Sequence, residues 1–191
     1  MSLSTPVSRR ALRHTRAIAV QAYARDDGLW DLDARITDTK VNDTVLASGP
    51  RAGGTFLHDL SLRLTIDLQM TIVAVEAVSD AVPYPGFCDT IGPAYQQLVG
   101  LNLLKGFRHE IKQRLADTAG CTHLSELAQV LPTAAVQAFA NDVWATNDAA
   151  SDSAATATQK PFQLDKCHAL RTDGGAVAQF YPRWVAKPVA A

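Results

Sequence analysis

The sequence has little cysteine, no long apolar run and no excess charge of either sign, and each shortage narrows what the chain can be. Three cysteines occur, Cys88, Cys121 and Cys167. So sparse and odd a set offers no disulfide framework and suits a reducing compartment. The strongest apolar run, around Met70 to Val75, falls far short of the roughly 20 residues a bilayer span requires. Arg9, Arg10, Arg13 and Arg16 crowd the N-terminus without an apolar stretch beside them, so no secretory leader is expected and the cytoplasm is the expected location. Lys and Arg number 18 against 19 Asp and Glu. That balance offers no broad field to nucleic acid or an anionic membrane, and neither is expected as a partner. A phosphate loop and a dinucleotide fingerprint are also missing: Gly53-Gly54 and Gly174-Gly175 have neither the spacing nor the strand-to-helix context. No organic cofactor is expected.

What is present is an ordinary globular composition, 47% apolar over 191 residues, enough to bury a core without staples. The reading is an N-terminal flexible segment, 1–15, followed by one α+β domain, 16–191. Ile18, Val20, Ala22 and Ala24 alternate, the turn Asp26-Asp27-Gly28 follows, and Trp30, Leu32, Ala34 and Ile36 alternate again. The polar stretch from Asp38 to Thr55 reads as a loop. Leu60, Leu62, Leu64 and Ile66 form a third strand, and Thr71 to Val78 a fourth after a turn at Asp67-Leu68-Gln69. The expected sheet is a four-stranded antiparallel meander, apolar on one face.

At Pro83-Tyr84-Pro85-Gly86 the period changes. Leu103, Leu104, Phe107, Ile111 and Leu115 recur at helical spacing. Gly120 is expected to end that helix in a left-handed cap, and Thr122 to cap the next. Leu124, Leu127 and Leu131 supply its buried stripe, with Pro132 set to kink or split it. Residues 147–160 are nearly all Ala, Ser, Thr and Asp and read as a flexible loop. The C-terminal helices should pack on one face of the sheet, an α+β arrangement.

Four places could carry chemistry. His58 shares parity with Leu60 and Leu62, so it points to the apolar face, either as an acid–base group or as a hydrogen-bonded core histidine. Tyr84 to Asp89, with Cys88, sits where the sheet gives way to helices; the plain alternative is a rigid turn with a packed cysteine. Gly120-Cys121-Thr122-His123 opens a helix, whose free N–H groups can hold an anion or oxyanion, or serve only as a cap. Asp165 to Arg171, with Cys167 and His168, follows the flexible loop and reads otherwise as a helical turn anchoring the tail. Were a metal present, zinc or iron on Cys88, Cys121, His123 and Cys167, the count would suffice but the spacing lacks the usual pairs.

Taken in order, several strings form a pattern: Asp27-Gly28-Leu29-Trp30-Asp31, Asp80-Ala81-Val82-Pro83-Tyr84-Pro85-Gly86-Phe87-Cys88, Leu98-Val99-Gly100-Leu101-Asn102, Gly120-Cys121-Thr122-His123-Leu124, Lys160-Pro161-Phe162, Cys167-His168-Ala169-Leu170 and Tyr181-Pro182-Arg183-Trp184. From about Arg16 to Trp184 the chain resembles the bacterial domain-of-unknown-function family 2889. The resemblance implies a small bacterial protein and suggests aromatic-compound breakdown.

The expected function is a small-molecule enzyme using acid–base chemistry, a lyase acting on an aromatic, lignin-derived compound. His58, Tyr84, His123 and His168 are the expected acid–base groups. Trp30, Cys121, Thr122, Arg171, Tyr181 and Trp184 are expected to bind substrate, by stacking or by holding an oxyanion. A Cys/His metal- or iron–sulfur-handling protein and a non-catalytic binding module are the alternatives. Assembly into a homo-oligomer is left open.

Overall fold

The computed structural model describes residues 3–146 and 160–186, so the expected loop at 147–160 lies outside the described residues except for Lys160. It divides into two compact units, Met1–Ala135 and Val136–Ala191.

The first unit holds an antiparallel sheet of β1 (His14–Ala24), β2 (Trp30–Lys40), β5 (Phe56–Ile66) and β6 (Ile72–Ala81), in the order β1-β2-β5-β6. The α+β meander expected from alternation is therefore the architecture. Gly28, at φ 82°, makes the first turn, a conformation closed to most side chains. The Asp67 carboxylate makes another by accepting the Gln69 and Thr71 N–H groups at 2.9 and 2.8 Å.

Register puts even-numbered residues of β1, β2 and β5 on one face, together with Val75, Ala77 and Ser79 of β6, where register shifts reverse the parity. Leu32, Ala34, Ile36, Leu60, Leu62, Leu64 and Ile66 are buried there, each large side chain contributing about 1.5–3 kcal/mol of transfer free energy. The odd face carries charge, such as Arg63 across from Asp33.

Several expectations need correction. The stretch from Asp38 to Thr55 is not simply a loop. β2 runs on to Lys40, and β3 (Thr44–Leu46) pairs with β4 (Gly49–Arg51) in a separate hairpin. Counting polar residues ended β2 too early, because its buried face closes on a charged residue. Gly120 is not a left-handed cap: its backbone is extended, at φ −143°. It is needed because a Cβ there would lie 2.6 Å from the Leu115 carbonyl oxygen.

Helix α1 (Phe107–Arg114) buries Phe107 and Ile111, and α2 (Thr122–Phe139) buries Leu124, Leu127, Ala128 and Leu131. Thr122 is the first residue of α2 rather than its cap; the Cys121 carbonyl accepts the Ser125 N–H at 2.9 Å. The helix runs through Pro132 unbroken. In the second unit, α3 (Gly175–Phe180) buries Val177, and Trp144 packs edge-on against Phe139 and Phe162. Among the described residues no helix is long and apolar enough to cross a membrane.

Candidate functional site

The buried face of the sheet does not stay apolar to its end. After Leu32, Ala34 and Ile36, the next residue on that face of β2 is Asp38, only 2% exposed. Its direct partners across the sheet are Arg16 on β1 and His58 on β5. Three strands thus place a guanidinium, a carboxylate and an imidazole side by side in one row. His14, two residues before Arg16, reaches the same carboxylate. The first turn of α2 adds His123, and Glu126 follows three residues later on the same side of the helix.

The strand register is irregular at this end. Leu57 has no partner between the pairs Asp38–His58 and Thr39–Phe56, and Asp80 has none between Asp59–Ala81 and Leu60–Ser79. Such bulges add twist and re-aim side chains, and they recur beside active sites.

The hydrogen bonds converge on Asp38. Its Oδ1 accepts from Arg16 Nε at 2.9 Å and lies 2.7 Å from His14 Nε2. Its Oδ2 accepts from Arg16 Nη2 at 2.9 Å. The other end of Arg16 donates to Glu126 Oε2 at 2.6 Å. Two more nitrogens approach Oδ2: His58 Nδ1 at 3.1 Å and His123 Nε2 at 3.4 Å. The His58 and His123 rings lie face to face, their centroids 3.8 Å apart and their planes tilted by 32°. Although His58 Nδ1 is within reach of Asp38, it is not aligned for a hydrogen bond, and it is buried without a hydrogen-bond partner among the described residues.

Burial pushes the Asp38 carboxyl up, but the hydrogen bonds from Arg16 and His14 outweigh it and hold the group down to about 2. Burial, then the neighbouring His123, pulls His58 below its ordinary value. His123 is lowered by burial first and by Arg16 second. Arg16 is raised by its hydrogen bond to Asp38. A charged carboxylate facing two neutral imidazoles is the arrangement that results.

Behind His123 stands a support. Cys121 Sγ lies 3.9 Å from His123 Nδ1, on the side of the ring away from Asp38. The fully buried Tyr95 pins the backbone there: its hydroxyl donates to the Cys121 carbonyl at 2.8 Å, accepts the Cys121 N–H at 3.1 Å and meets Ser125 Oγ at 2.8 Å.

Of the residues expected from sequence, His58, His123 and Cys121 come together here. Thr122 is next to them in the chain but exposed. Trp30 belongs to the far end of β2, paired with Ile66, eight positions or roughly 26 Å of strand from Asp38. Tyr84 is exposed in the turn after β6 and is not part of the cluster. His168, Arg171, Tyr181 and Trp184 belong to the second unit. His168 is exposed there, Arg171 pairs with Asp173 at 3.1 Å, and the Tyr181 hydroxyl donates to the Thr146 carbonyl at 2.9 Å. As for metal ligands, the His/Cys/Asp/Glu group close enough to share an ion is Asp38, His58 and His123 among the described residues, not the cysteines.

Sequence reading missed Asp38, His14, Arg16, Glu126 and Tyr95. For Asp38 the signal was present: it has the parity of Leu32, Ala34 and Ile36.

Residues 14–137 match the family described as a protein of unknown function, DUF2889. The span begins at His14, contains every residue of the cluster, and ends before the motifs from Lys160 onward. No curated protein and no solved structure matches.

Proposed function

Because the chain belongs to DUF2889, a family whose description assigns no activity, we propose from the site itself that it is an enzyme acting on a small molecule, with the Asp38 cluster as its reaction centre. One observation carries this reading: an ionised carboxylate, 2% exposed, shared by His14, Arg16, His58 and His123 at the end of an otherwise apolar face. A buried charge is a poor way to gain stability, since a well-packed apolar side chain does as well or better. Four polar partners from two other strands and a helix therefore argue for chemistry.

The narrower reading is a lyase acting on an aromatic, lignin-derived compound. A substrate hydroxyl gives its proton to the cluster. The O–H electron pair becomes the second bond of a carbonyl, and the adjacent C–C or C–O bond breaks with its pair on the departing fragment. That fragment then takes up a proton. His14, with its side chain 40% exposed and 2.7 Å from Asp38, connects the buried carboxylate to solvent.

The test is turnover of a panel of phenolic compounds carrying a hydroxyl beside the scissile bond, followed by mass spectrometry of both fragments. Asp38→Asn and His58→Gln are expected to lower the rate by about 10²–10⁴-fold with the fold retained. Intact turnover in Asp38→Asn, His58→Gln and His123→Gln would place the reaction elsewhere.

A further inference from the structure

We propose that Asp38 Oδ2, His58 Nδ1 and His123 Nε2 together bind one divalent first-row transition-metal ion. The inference rests on the reading of this cluster as the reaction centre and names the cofactor that works there.

The spacing is the first argument. Two ligands each about 2.0–2.1 Å from a tetrahedral ion sit about 3.3–3.4 Å apart, and neighbouring ligands of an octahedral ion about 3.0 Å. Oδ2 lies 3.1 Å from His58 Nδ1 and 3.4 Å from His123 Nε2. One donor atom from each of the three residues falls within 4.8 Å of the other two.

The second argument is the unpaired nitrogen. His58 Nδ1 is buried and makes no hydrogen bond among the described residues, yet it lies beside a carboxylate oxygen. If Nδ1 carries a proton, that proton is misdirected. If it carries a lone pair, two electron-rich atoms face each other in a dry place. A cation between them removes the conflict in the second case, and buried unsatisfied groups call for such an explanation.

Charge and outer contacts agree. Two carboxylates, Asp38 and Glu126, flank Arg16. Oδ2 accepts one bond, from Arg16, and retains a lone pair. His14 and Arg16 hold Oδ1, and the thiol of Cys121 stands behind His123 Nδ1. Ligating carboxylates and histidines are commonly oriented by such partners. Two histidines and one carboxylate leave coordination positions open for water or substrate, as in catalytic zinc and non-haem iron sites. An ion so held polarises a substrate oxygen and acidifies bound water.

The experiment uses the full chain, purified without a histidine tag, stripped with chelator and titrated with Zn²⁺ and with Co²⁺ as a visible-absorption probe. One ion per chain is expected, with affinity reduced more than about tenfold in Asp38→Asn, His58→Gln and His123→Gln. His109→Gln, on the exposed side of α1, should bind as the unaltered chain does. Circular dichroism identifies any variant that has lost its fold, and the two remaining variants then decide. Absence of a stoichiometric ion, or binding that none of the three substitutions weakens, overturns the proposal. Turnover that persists in chelator also overturns it while the enzyme reading stands. Stoichiometric metal with turnover indifferent to all three substitutions leaves the metal site intact and removes the enzyme reading.

Discussion

The two faces of the sheet both carry charged networks, and they are built on different plans. On the odd face, Arg63 grips Asp33 with two nitrogens at 2.6 and 2.7 Å, and Arg35 grips Asp59 at 2.7 and 2.6 Å. Asp33 and Asp59 each have a two-pronged arginine, and Arg63 also reaches Glu76 at 3.4 Å. On the even face one carboxylate, Asp38, serves one guanidinium and three imidazoles. The odd-face pairs join neighbouring strands, as opposite charges across a sheet do. The even-face group concentrates partners on a single buried atom pair, which serves positioning more than strand pairing.

Several substitutions break or sharpen that contrast. Asp38→Ala should have the largest effect, about 3–5 kcal/mol in chemical denaturation, because it leaves Arg16 without its buried partner. Tyr95→Phe comes next, at about 1–3 kcal/mol, since the Cys121 N–H loses its acceptor. It also has a pH signature. Burial raises the Tyr95 hydroxyl above its ordinary value. The tyrosine's contribution is therefore complete below the unfolded value of about 10 and is lost as pH rises from there toward the folded value. The variant should lack this alkaline loss when unfolding is followed from pH 8 upward.

Gly120→Ala should cost about 1–3 kcal/mol, because the new Cβ meets the Leu115 backbone and something must shift. Arg63→Ala, on the odd face, should change stability least, by about 0–1 kcal/mol. A double-mutant cycle across Arg63 and Asp33 should shrink as salt is raised, while one across Arg16 and Asp38 should hold. Equal salt sensitivity of the two cycles would erase the distinction between the faces.

Much of the fold was legible in alternation alone. Leu60, Leu62, Leu64 and Ile66 gave the third strand its inward face, and His58 was assigned to that face by parity. The site was harder to read. Asp38 looked like the beginning of a polar loop because a charged residue followed by Thr39 and Lys40, with Asn42 and Asp43 soon after, resembles solvent-facing sequence. Its parity with Leu32, Ala34 and Ile36 points inward, but the partners that make a buried charge tolerable, Arg16 and His58, are distant in sequence. His14 and Arg16 fell near a basic N-terminal stretch that reads as flexible, yet pairing with β2 makes them strand. His123 and Cys121 were found because a glycine, a cysteine and a histidine at a helix start are conspicuous without any tertiary knowledge. Tyr95 gave no such signal, since its partners, the Cys121 backbone and Ser125 Oγ, belong to a segment distant in sequence.

His58 and its neighbour Asp59 act on opposite sides of the same strand. His58 faces Asp38 inside, while Asp59 is gripped by Arg35 outside. Together they work like a rivet through a plate, with a head on each side. A strand clamped from one side can still roll about its long axis; one clamped from both cannot. The imidazole therefore inherits its bearing from an arginine it never touches, and loosening Arg35 would let the ring swing although no residue of the cluster had been changed.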